Sequence, residues 1–423
     1  MISNTLNYLY NLKRFGIKIG LDTTLELLKN FDNPHKKFVS IHVAGTKGKG
    51  SVSAMIYSIL RKSGFSVGLY TSPHLVKFNE RIKVNDRDIT DREVMELTEF
   101  IKRKIENTKT KPTFFEFTTA MAFYYFAKKG VDFAVVEVGC GGRLDSTNVI
   151  NPAISIITNI SLDHTNLLGN TKMKIAREKA GIIKENGTII TAERDKKILN
   201  LFENICQKKK ARLFVVQKEL KGKIVNSSLD YQRFITNGKL NSEFYIPLLG
   251  EYQLNNALIA ILAILLLKEK GNKISLENIK KGIKSTSWYG RLQIIKKQPL
   301  IIFDCAHNID SFNHLKKFLK KIKKRKILLI GISIDKDVEK MISIIAPIVD
   351  FVIISKGNYK PASMERIKKA VLKFDKKAIT IANPSEAFLM ALKKTEKNDA
   401  MIVTGSMYLV GDIIGDRKLF TNV

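Results

Sequence analysis

Cysteine is scarce in this 423-residue chain. The three cysteines, Cys140, Cys206 and Cys305, lie far apart and form no CxxC pair. Neither a disulfide framework nor a zinc knuckle is therefore supported, because both need paired or closely spaced cysteines. A reducing, cytoplasmic environment fits this cysteine usage best.

Long apolar runs are also lacking. The longest one reaches only from Ala257 to Leu267, whereas a membrane span needs roughly twenty residues. The first residues, MISNTLNYLYNLKRFG, do not have the basic, apolar and small-residue regions of a signal peptide. We therefore expect a soluble cytoplasmic protein with no membrane partner.

Acidic residues are few relative to basic ones. The chain has 40 Asp and Glu against 72 Lys and Arg, a formal net charge of +32, while its 44% hydrophobic content is ordinary for a folded protein. A disordered polycation is thus excluded, and anionic partners are indicated, either nucleic acid or small polyanions such as ATP. Charge alone does not choose between these partners, and lysines that merely coat the surface would give the same surplus.

Short runs rich in Ile and Val alternate with helical patterns in two successive series. Runs that are apolar on both faces are typical of strands buried between helix layers, so the pattern predicts parallel α/β sheets. Between the series, residues 222–247 are hairpin-like and a long apolar helix follows from about Leu254. The predicted strands lie at 38–45, 66–70, 133–139, 153–158 and 187–191 in the first series, and at 300–304, 326–332, 350–355, 378–382 and 400–405 in the second.

Two domains are expected from these series, with a hinge near residues 285–291 where the patterning lapses. We assign residues 1–290 to an N-terminal α/β domain with a parallel sheet. Residues 291–423 form a smaller Rossmann-like α/β domain in this prediction.

A glycine-rich segment, HVAGTKGKGS, joins the first strong strand to a helix. In that position backbone N–H groups can surround phosphate oxygens, and the helix N-terminus adds a favourable dipole. Lys49 would neutralise the β- and γ-phosphates. The spacing departs from GxxxxGK[ST], because Gly50 comes between Lys49 and Ser51.

Three further strand ends carry side chains that suit a hard cation: Ser72, Glu137 and His164. Ligands gather outside the carboxyl ends of parallel strands, so these residues should converge near the phosphate loop. Oxygen ligands suit Mg²⁺, with His164 a less typical partner. Each residue taken alone is equally consistent with a turn or a hydrogen-bonded loop, and it is their joint location that indicates a metal site.

Nine segments spread over essentially the whole chain carry a resemblance to a known family. In order they are VAGTKGKGS, TSPHLVKFNERI, TFFEFTTAMAF, EVGCGGRLDSTN, TNISLDHTNLLGNT, EKAGI, WYGR, DCAHN and TGSMYLV. Their order and approximate spacing resemble folylpolyglutamate synthase/dihydrofolate synthase, a branch of the Mur ligase superfamily. The resemblance implies an ATP-dependent carboxylate–amine ligase that adds L-glutamate to dihydropteroate, to folate or to both through an acyl phosphate. It also implies that residues 1–290 form a P-loop-type parallel-sheet ATPase domain that binds ATP and the pterin, and that residues 291–423 form a Rossmann-like domain that binds glutamate.

The resemblance also implies roles for individual residues. Lys49, Lys179 and His307 take catalytic positions, and Lys179 matches a lysine that is carbamylated in the family. Ser72, Glu137 and His164 match the positions that bind Mg²⁺, with two ions expected. The ATP positions are Thr46, Lys47, Gly48, Lys49, Gly50, Ser51, Asn256, Arg291 and Asp304; the acceptor and glutamate positions are Gly20, Leu21, Thr113, Phe114, Phe115, Glu116, Leu144, Asp304 and His307.

Some of these assignments compete with simpler interpretations. Without the resemblance, Phe114 and Phe115 would more readily be core residues, and Lys179 would only complement a helix C-terminus. Glu116 is more telling, because a carboxylate beside apolar residues can accept hydrogen bonds from a pterin. The chain departs from the family at Lys47, where Asn is frequent, at Cys140 and Cys305, and at Ile309-Asp310 after the DCAHN segment.

Two alternatives stay open at this point. A Mur-type ligase acting on another carboxylate, such as a cell-wall precursor, would use the same phosphate loop. A nucleic-acid binder would explain the net charge and the lysine-rich stretch 316–326, although apolar residues at helical spacing there also fit a solvated helix face. The TFFE and SPHL segments favour the folate branch, for which we expect small-molecule substrates, no nucleic acid and a monomer.

Overall fold

The structure, a computed structural model, describes residues 2–12 and 20–420. Two compact units can be distinguished in it. The first comprises Met1–Lys223, Phe234–Tyr245 and Leu254–Thr286, and the second Ile224–Arg233, Ile246–Gln253 and Ser287–Val423. Two short segments that precede residue 287 thus cluster with the second unit. The boundary that the sequence predicts between two domains, after residue 290, remains a prediction.

The first unit contains an eight-stranded sheet. Its strand order is β4-β3-β2-β5-β1-β6-β7-β8, and all neighbours are parallel except the β2–β3 and β3–β4 pairs. All five strands predicted in the first series are present. The strands are β1 (Val39–Ala44), β2 (Val67–Tyr70), β3 (Ile82–Val84), β4 (Arg87–Asp88), β5 (Phe133–Glu137), β6 (Ile154–Ile157), β7 (Thr188–Thr191) and β8 (Arg212–Val215).

Helices cover this sheet and supply most of the core. One apolar cluster joins α1, α2, α4 and α5 to the sheet, and another joins α7 and α8 to it. The helices are α1 (Ile2–Asn11), α2 (Asp22–Lys29), α3 (Lys49–Lys62), α4 (Asp91–Ile105), α5 (Phe114–Lys128), α6 (Thr165–Leu168), α7 (Lys172–Ala180), α8 (Lys196–Lys208), α9 (Val216–Glu219), α10 (Tyr252–Glu269) and α11 (Leu276–Lys284).

The hairpin-like stretch forms a three-stranded sheet with the order β11-β10-β9. Its strands are β9 (Leu220–Ser227), β10 (Gln232–Gly238) and β11 (Ser242–Ile246). Gly238 ends β10 with φ +107°, and a Cβ there would lie 2.6 Å from the carbonyl oxygen of Glu219. The turn at Asn237-Gly238 therefore requires glycine at its second position.

The second unit contains a six-stranded sheet with the order β12-β13-β17-β14-β15-β16. Only the β12–β13 pair is antiparallel. Its elements are β12 (Gln293–Lys297), β13 (Leu300–Phe303), β14 (Lys326–Ile330), β15 (Phe351–Ile354), β16 (Lys377–Thr380) and β17 (Ala400–Thr404), with helices α12 (Ile309–Lys320), α13 (Val338–Ile345), α14 (Met364–Leu372), α15 (Pro384–Lys394) and α16 (Met407–Gly415). The predicted α/β class with two parallel-rich sheets is confirmed.

Helix α10 is long and apolar enough to be considered as a membrane span by length and composition. Of its apolar window, 67% is buried inside the protein. Its alanine, leucine and isoleucine side chains from Ala257 to Ile264 are almost fully inaccessible to solvent. The helix is thus apolar on all sides because it lies in the core.

Candidate functional site

The phosphate loop joins β1 to α3, and its shape depends on two glycines. Gly45 and Gly48 have φ values of +140° and +86°, and a Cβ at Gly45 would lie 1.8 Å from Thr158 Oγ1. Gly48 is the N-cap of α3 and provides no capping side chain. No acidic residue lies in the first turn of α3 either. An anion at this helix start would therefore meet backbone N–H groups and the positive end of the helix dipole.

The loop is hydrogen-bonded to the segment that follows β6. Thr46 N–H donates to the Asn159 carbonyl oxygen at 2.9 Å, and Lys47 N–H donates to Asn159 Oδ1 at 3.0 Å. The Thr158 hydroxyl donates to the Lys47 carbonyl oxygen at 2.6 Å. The Ser161 N–H donates to Thr46 Oγ1 at 3.0 Å. Because β6 is the sheet neighbour of β1, these bonds fix the loop at the carboxyl edge of the sheet.

Two loop lysines face carboxylates that come from the two strands beside β1. Lys49 Nζ lies 3.9 Å from Glu137 Oε1 at the end of β5, and Lys47 Nζ lies 2.9 Å from Asp163 Oδ2 after β6. None of these four side chains is more than 27% exposed. Partial burial makes such pairs stronger than those on the open surface, since water screens them less.

Of the three predicted metal positions, Ser72 and Glu137 are joined by a hydrogen bond. Ser72 N–H donates to Glu137 Oε2 at 3.3 Å, and Glu137 is 5% exposed. His164 lies on the segment after β6, is exposed, and has a left-handed backbone with φ +49°. Among the described residues, no three His, Cys, Asp or Glu side chains form a group that could hold a metal ion.

The donors at Ser72 and Glu137 nonetheless fit one kind of ion. A buried carboxylate beside a serine hydroxyl suits Mg²⁺, which needs few protein ligands because it keeps water and takes phosphate oxygens. The same donors would not make a closed structural zinc site, which requires four nitrogen or sulfur ligands.

Lys179 lies in the last turn of α7 and is only 5% exposed. Its pKa is lowered to about 7, first by burial and then by the nearby charge of Lys49, while Cys140, Asp163 and Asp145 act in the opposite direction. A substantial fraction of this side chain is therefore a neutral amine at neutral pH. The predicted catalytic lysine thus lies within electrostatic range of the phosphate loop.

The loop after β5 packs on the helix turn that carries Lys179. Arg143 N–H donates to the Glu178 carbonyl oxygen at 2.8 Å, and the Arg143 and Glu178 side chains form an ion pair at 3.0 Å. A Cβ at Gly181 would lie 2.3 Å from Arg143 Cβ, so only glycine permits this approach. The half-buried Leu144, predicted on the acceptor side, follows directly in this loop.

A series of buried hydrogen bonds connects the loop after β5 to strand β1. Asp145 accepts hydrogen bonds from Cys140 N–H at 2.8 Å and from Thr147 N–H at 3.0 Å, and Thr147 Oγ1 lies 2.8 Å from His42 Nε2. Burial lowers the pKa of His42 to about 3, so its ring is neutral. Strand β1 therefore positions the Cys140–Leu144 loop as well as the phosphate loop.

The predicted pterin residues begin α5, and the structure gives some of them a second role. Thr113 and Glu116 form a capping box: Thr113 N–H donates to Glu116 Oε2 at 2.7 Å, and Glu116 N–H donates to Thr113 Oγ1 at 3.3 Å. Phe114 belongs to the apolar core, with Arg81 stacked 5.1 Å from its ring centre. Phe115 covers Gly139, where a Cβ would lie 2.4 Å from the ring.

The remaining predicted residues of the first unit lie beside the phosphate loop or directly before α2. Asn256, on α10, is 6% exposed, and its Oδ1 would lie 2.4 Å from a Cβ on Gly48. It is therefore in contact with the phosphate loop. Gly20 and Leu21 are half-buried and directly precede α2, which packs against α5.

In the second unit, Asp304 and His307 follow β13 at its carboxyl end. Asp304 accepts hydrogen bonds from Leu292 N–H at 2.8 Å and Ala306 N–H at 2.9 Å. Burial raises its pKa, and Arg291 opposes that shift. His307 Nδ1 lies 2.8 Å from the Cys305 carbonyl oxygen. Arg291, Asp304 and His307 therefore lie close together at one edge of the second sheet.

Sequence reasoning did not assign Thr158, Asn159 or Arg81 to the site. Each of these residues is polar and lies at or just beyond the end of a predicted strand or motif, which is the sequence feature that could have indicated them. A cavity of about 410 Å³ elsewhere in the second unit, lined by Arg325, Met390, Lys393, Lys394 and Glu396, includes none of the predicted residues.

Comparison with known proteins shows two matching domain families in the chain. The Mur ligase middle domain matches residues 43–264, and the Mur ligase, glutamate ligase domain matches residues 290–407. The dihydrofolate synthase/folylpolyglutamate synthase of Bacillus subtilis (strain 168) is 33% identical over 419 residues, covering 96% of this chain and 97% of the relative.

Solved structures give the same result at the level of the fold. Folylpolyglutamate synthase from Thermotoga maritima is 34% identical and has a TM-score of 0.88, covering 100% of this chain and 97% of the other. E. coli FolC in complex with DHPP and ADP is 27% identical with a TM-score of 0.85, covering 99% and 97%. Since both Mur ligase domains match and a relative of one-third identity extends over nearly its whole length, the chain belongs to the folylpolyglutamate synthase/dihydrofolate synthase family, a branch of the ATP-dependent Mur ligases.

Proposed function

We propose that this chain ligates L-glutamate to dihydropteroate, to folate or to both, with ATP converted to ADP and phosphate. The observation that carries the proposal is the phosphate loop at the uncapped start of α3, where Lys49 lies beside the buried Glu137 and within electrostatic range of Lys179 on α7. The acceptor carboxylate takes the γ-phosphoryl group to form an acyl phosphate. The glutamate amine then attacks the carbonyl carbon, and phosphate leaves as the amide forms.

The phosphate loop acts by positioning and neutralising charge. N–H groups at the start of α3 bind phosphate oxygens, and the Lys49 ammonium offsets charge on the transferring phosphoryl group. Asn256 contacts the nucleotide next to Gly48. Thr46, Lys47, Gly50 and Ser51 complete this ATP-binding segment. These groups bring two anions together, which is the main requirement of phosphoryl transfer.

Mg²⁺ would be held by Ser72 and Glu137, with His164 contributing from the neighbouring segment. The ion supplies charge stabilisation to the phosphoryl oxygens when bound. Glu137→Gln should therefore raise the Mg²⁺ concentration needed for half-maximal turnover about tenfold, since one charged ligand is lost. An unchanged metal requirement would remove Glu137 from the set of ligands.

Lys179 is the proposed site of carbamylation. A neutral amine can attack CO₂, and burial keeps much of this side chain neutral near pH 7. The product carries an anionic oxygen suited to a second Mg²⁺. Lys179→Ala should lower turnover far more than Lys179→Glu, because only glutamate leaves a carboxylate there; equal activity of the two variants would argue against a carbamate.

Thr113, Phe114, Phe115, Glu116, Leu144, Gly20 and Leu21 form the acceptor side in this proposal. Glu116→Gln separates the pterin role from the capping role, because glutamine also completes a capping box. We expect the melting temperature to stay within about 2 °C while KM for the pteroate acceptor rises about tenfold, because a charged acceptor of hydrogen bonds is lost. An unchanged KM for the pteroate acceptor would show that Glu116 only caps α5 and does not bind the pterin.

The second unit supplies the remaining roles. Arg291 and Asp304 contact ATP, and Asp304 and His307 contact glutamate and nucleotide. His307→Ala should raise KM for glutamate more than KM for ATP. A larger rise in KM for ATP than in KM for glutamate would indicate that His307 contacts mainly the nucleotide.

We further propose that the enzyme is a cytoplasmic monomer whose substrates are all small molecules. Gel filtration at micromolar concentration should give the mass of one chain, 47.9 kDa. A concentration-independent dimer would contradict this.

The direct test of the function is a product assay with Mg-ATP and L-glutamate. Dihydropteroate and a reduced folate monoglutamate are offered in separate reactions, and ADP, phosphate and the glutamylated product are measured. We expect ADP release that depends on one or both acceptors and on glutamate. ADP release that depends on neither acceptor would overturn the folate assignment.

A further inference from the structure

Asp163 connects two parts of the candidate site through its two carboxylate oxygens. Oδ2 accepts a hydrogen bond from Lys47 Nζ at 2.9 Å, and Oδ1 accepts one from His164 N–H at 3.1 Å. One carboxylate therefore joins the phosphate loop to the residue predicted to bind metal.

His164 needs such support because of its backbone conformation. Its φ of +49° lies in the left-handed region, which a residue with a Cβ adopts only at a cost of about 1 kcal/mol. His164 is also the N-cap residue of the four-residue helix α6, and its side chain forms no capping hydrogen bond. The hydrogen bond from His164 N–H to Asp163 is a contact that favours this conformation.

Lys47 is well placed to act on Asp163. Its side chain is 27% exposed and that of Asp163 is 15% exposed, so the charges are partly removed from water. The backbone of Lys47 is fixed on both sides, by Asn159 Oδ1 at its N–H and by the Thr158 hydroxyl at its carbonyl oxygen. The ammonium therefore reaches Asp163 from a rigid base, which favours a charge-assisted hydrogen bond of definite geometry.

We propose that Lys47 and Asp163 are positioning residues that couple nucleotide binding at the phosphate loop to Mg²⁺ binding beside His164. This inference rests on the proposed nucleotide site, and it concerns a lysine at a position where the family frequently has Asn. Lys47 acts mainly through Asp163, and Asp163 holds His164 in the conformation seen here. The gain in nucleotide affinity that Mg²⁺ gives should therefore be larger when the pair is intact than when either residue is replaced.

The test is calorimetric titration of the full chain with a non-hydrolysable ATP analogue, with and without Mg²⁺. The quantity compared is the ratio of the two affinities, which a general loss of stability would not change. In Asp163→Asn and in Lys47→Met we expect the Mg²⁺-dependent gain to fall about tenfold relative to the wild type, as for loss of one charge-assisted hydrogen bond. The double variant should be no worse than the more affected single variant, because the two residues act as one unit.

A matched control is available in the same unit. Lys37 and Asp32 also form a lysine–aspartate pair, at 3.1 Å, but their side chains are 53% and 90% exposed. Lys37→Met should leave the Mg²⁺-dependent gain as in the wild type. Lys47→Arg, which can keep the ion pair, should recover most of the gain.

The possible failures are distinguishable. Additive losses in the double variant, or an unchanged gain in both single variants, would overturn the coupling and leave the ligase function standing. An intact coupling without acceptor-dependent ADP release would overturn the ligase function and leave the coupling standing. A wild-type chain that does not bind the analogue would overturn both.

Discussion

Burial determines the chemistry of individual side chains at this site, and Lys179 shows it most clearly. Its pKa is lowered to about 7, mainly by burial, from the value of 10.5 for an exposed lysine. Below pH 7 the folded protein must keep a poorly solvated cation, whereas the unfolded chain keeps a hydrated one. Between about pH 7 and 10.5 the unfolded chain binds more protons, so the free energy of unfolding rises with pH.

Lys179→Met should therefore stabilise the protein at pH 7 by on the order of 3 kcal/mol in the absence of bicarbonate and Mg²⁺. The variant should also lose the part of the pH-dependent rise that this lysine contributes between pH 7 and 10. Denaturant unfolding at a series of pH values measures both effects. A variant less stable than the wild type at pH 7 would show that the ammonium has a stabilising partner.

At the scale of elements, the phosphate loop depends on a glycine that begins α3. Gly48→Ala would place a Cβ 2.4 Å from Asn256 Oδ1 and would hold alanine at φ +86°. Either the loop or Asn256 must move, so we expect KM for ATP to rise at least about tenfold, the effect of losing one good nucleotide contact. Steady-state kinetics at saturating acceptor and glutamate measure this.

The matched control lies just beyond the other end of the same helix. Gly64 has a similar φ of +89°, but a Cβ there would meet no atom within 4 Å. Gly64→Ala should cost about 1 kcal/mol of stability from backbone strain and leave KM for ATP unchanged. Equal rises in KM for ATP in the two variants would mean that ATP binding is weakened by a general loss of stability and not by the contact between Gly48 and Asn256.

The element pattern could be predicted from sequence where strands are buried on both faces. Apolar runs such as FAVVEVG and KILLIGI lie between helix layers, and they formed the strands expected. The strands missed were edge strands or short ones. Strand β4 consists of Arg87 and Asp88 and contains no apolar residue, and β12 has none of its five residues fully buried.

The contacts within the site were harder to predict than its location. The carboxyl ends of β1, β2, β5 and β6 could be expected to meet, because parallel strands end at one edge. The Lys47–Asp163 pair could not be predicted, since it joins residues 116 positions apart and depends on the register of β1 against β6. The capping role of Glu116 was not predicted either, because its carboxylate was interpreted only as a hydrogen-bond acceptor for a pterin.

At the scale of the whole molecule, the net charge of +32 is best explained by anionic substrates and a lysine-rich surface. Lys47 and Lys49 are assigned to the phosphate loop, whereas Lys317, Lys320 and Lys323 are exposed. Surface cations act at a distance, and salt screens them over about 8 Å at physiological ionic strength. Their effect should therefore be on association rates with anionic substrates.

Raising NaCl from about 50 to 300 mM at fixed free Mg²⁺ should lower kcat/KM for ATP by about two- to fivefold and leave kcat nearly unchanged. A neutral osmolyte at equal osmolality is the control and should have no such effect. Insensitivity of kcat/KM to salt would mean that the charge surplus has no role in substrate capture.

The central claim is that the phosphate loop transfers the γ-phosphoryl group of ATP to a pteroate or folate carboxylate. The most direct measurement uses an acceptor labelled with ¹⁸O in that carboxylate and follows the label by mass spectrometry after one turnover with glutamate. Because phosphate leaves the acyl phosphate with one of the two carboxylate oxygens, we expect one ¹⁸O atom in the released phosphate for each amide formed. Unlabelled phosphate, with the second ¹⁸O atom released as water while the amide keeps the first, would contradict the account.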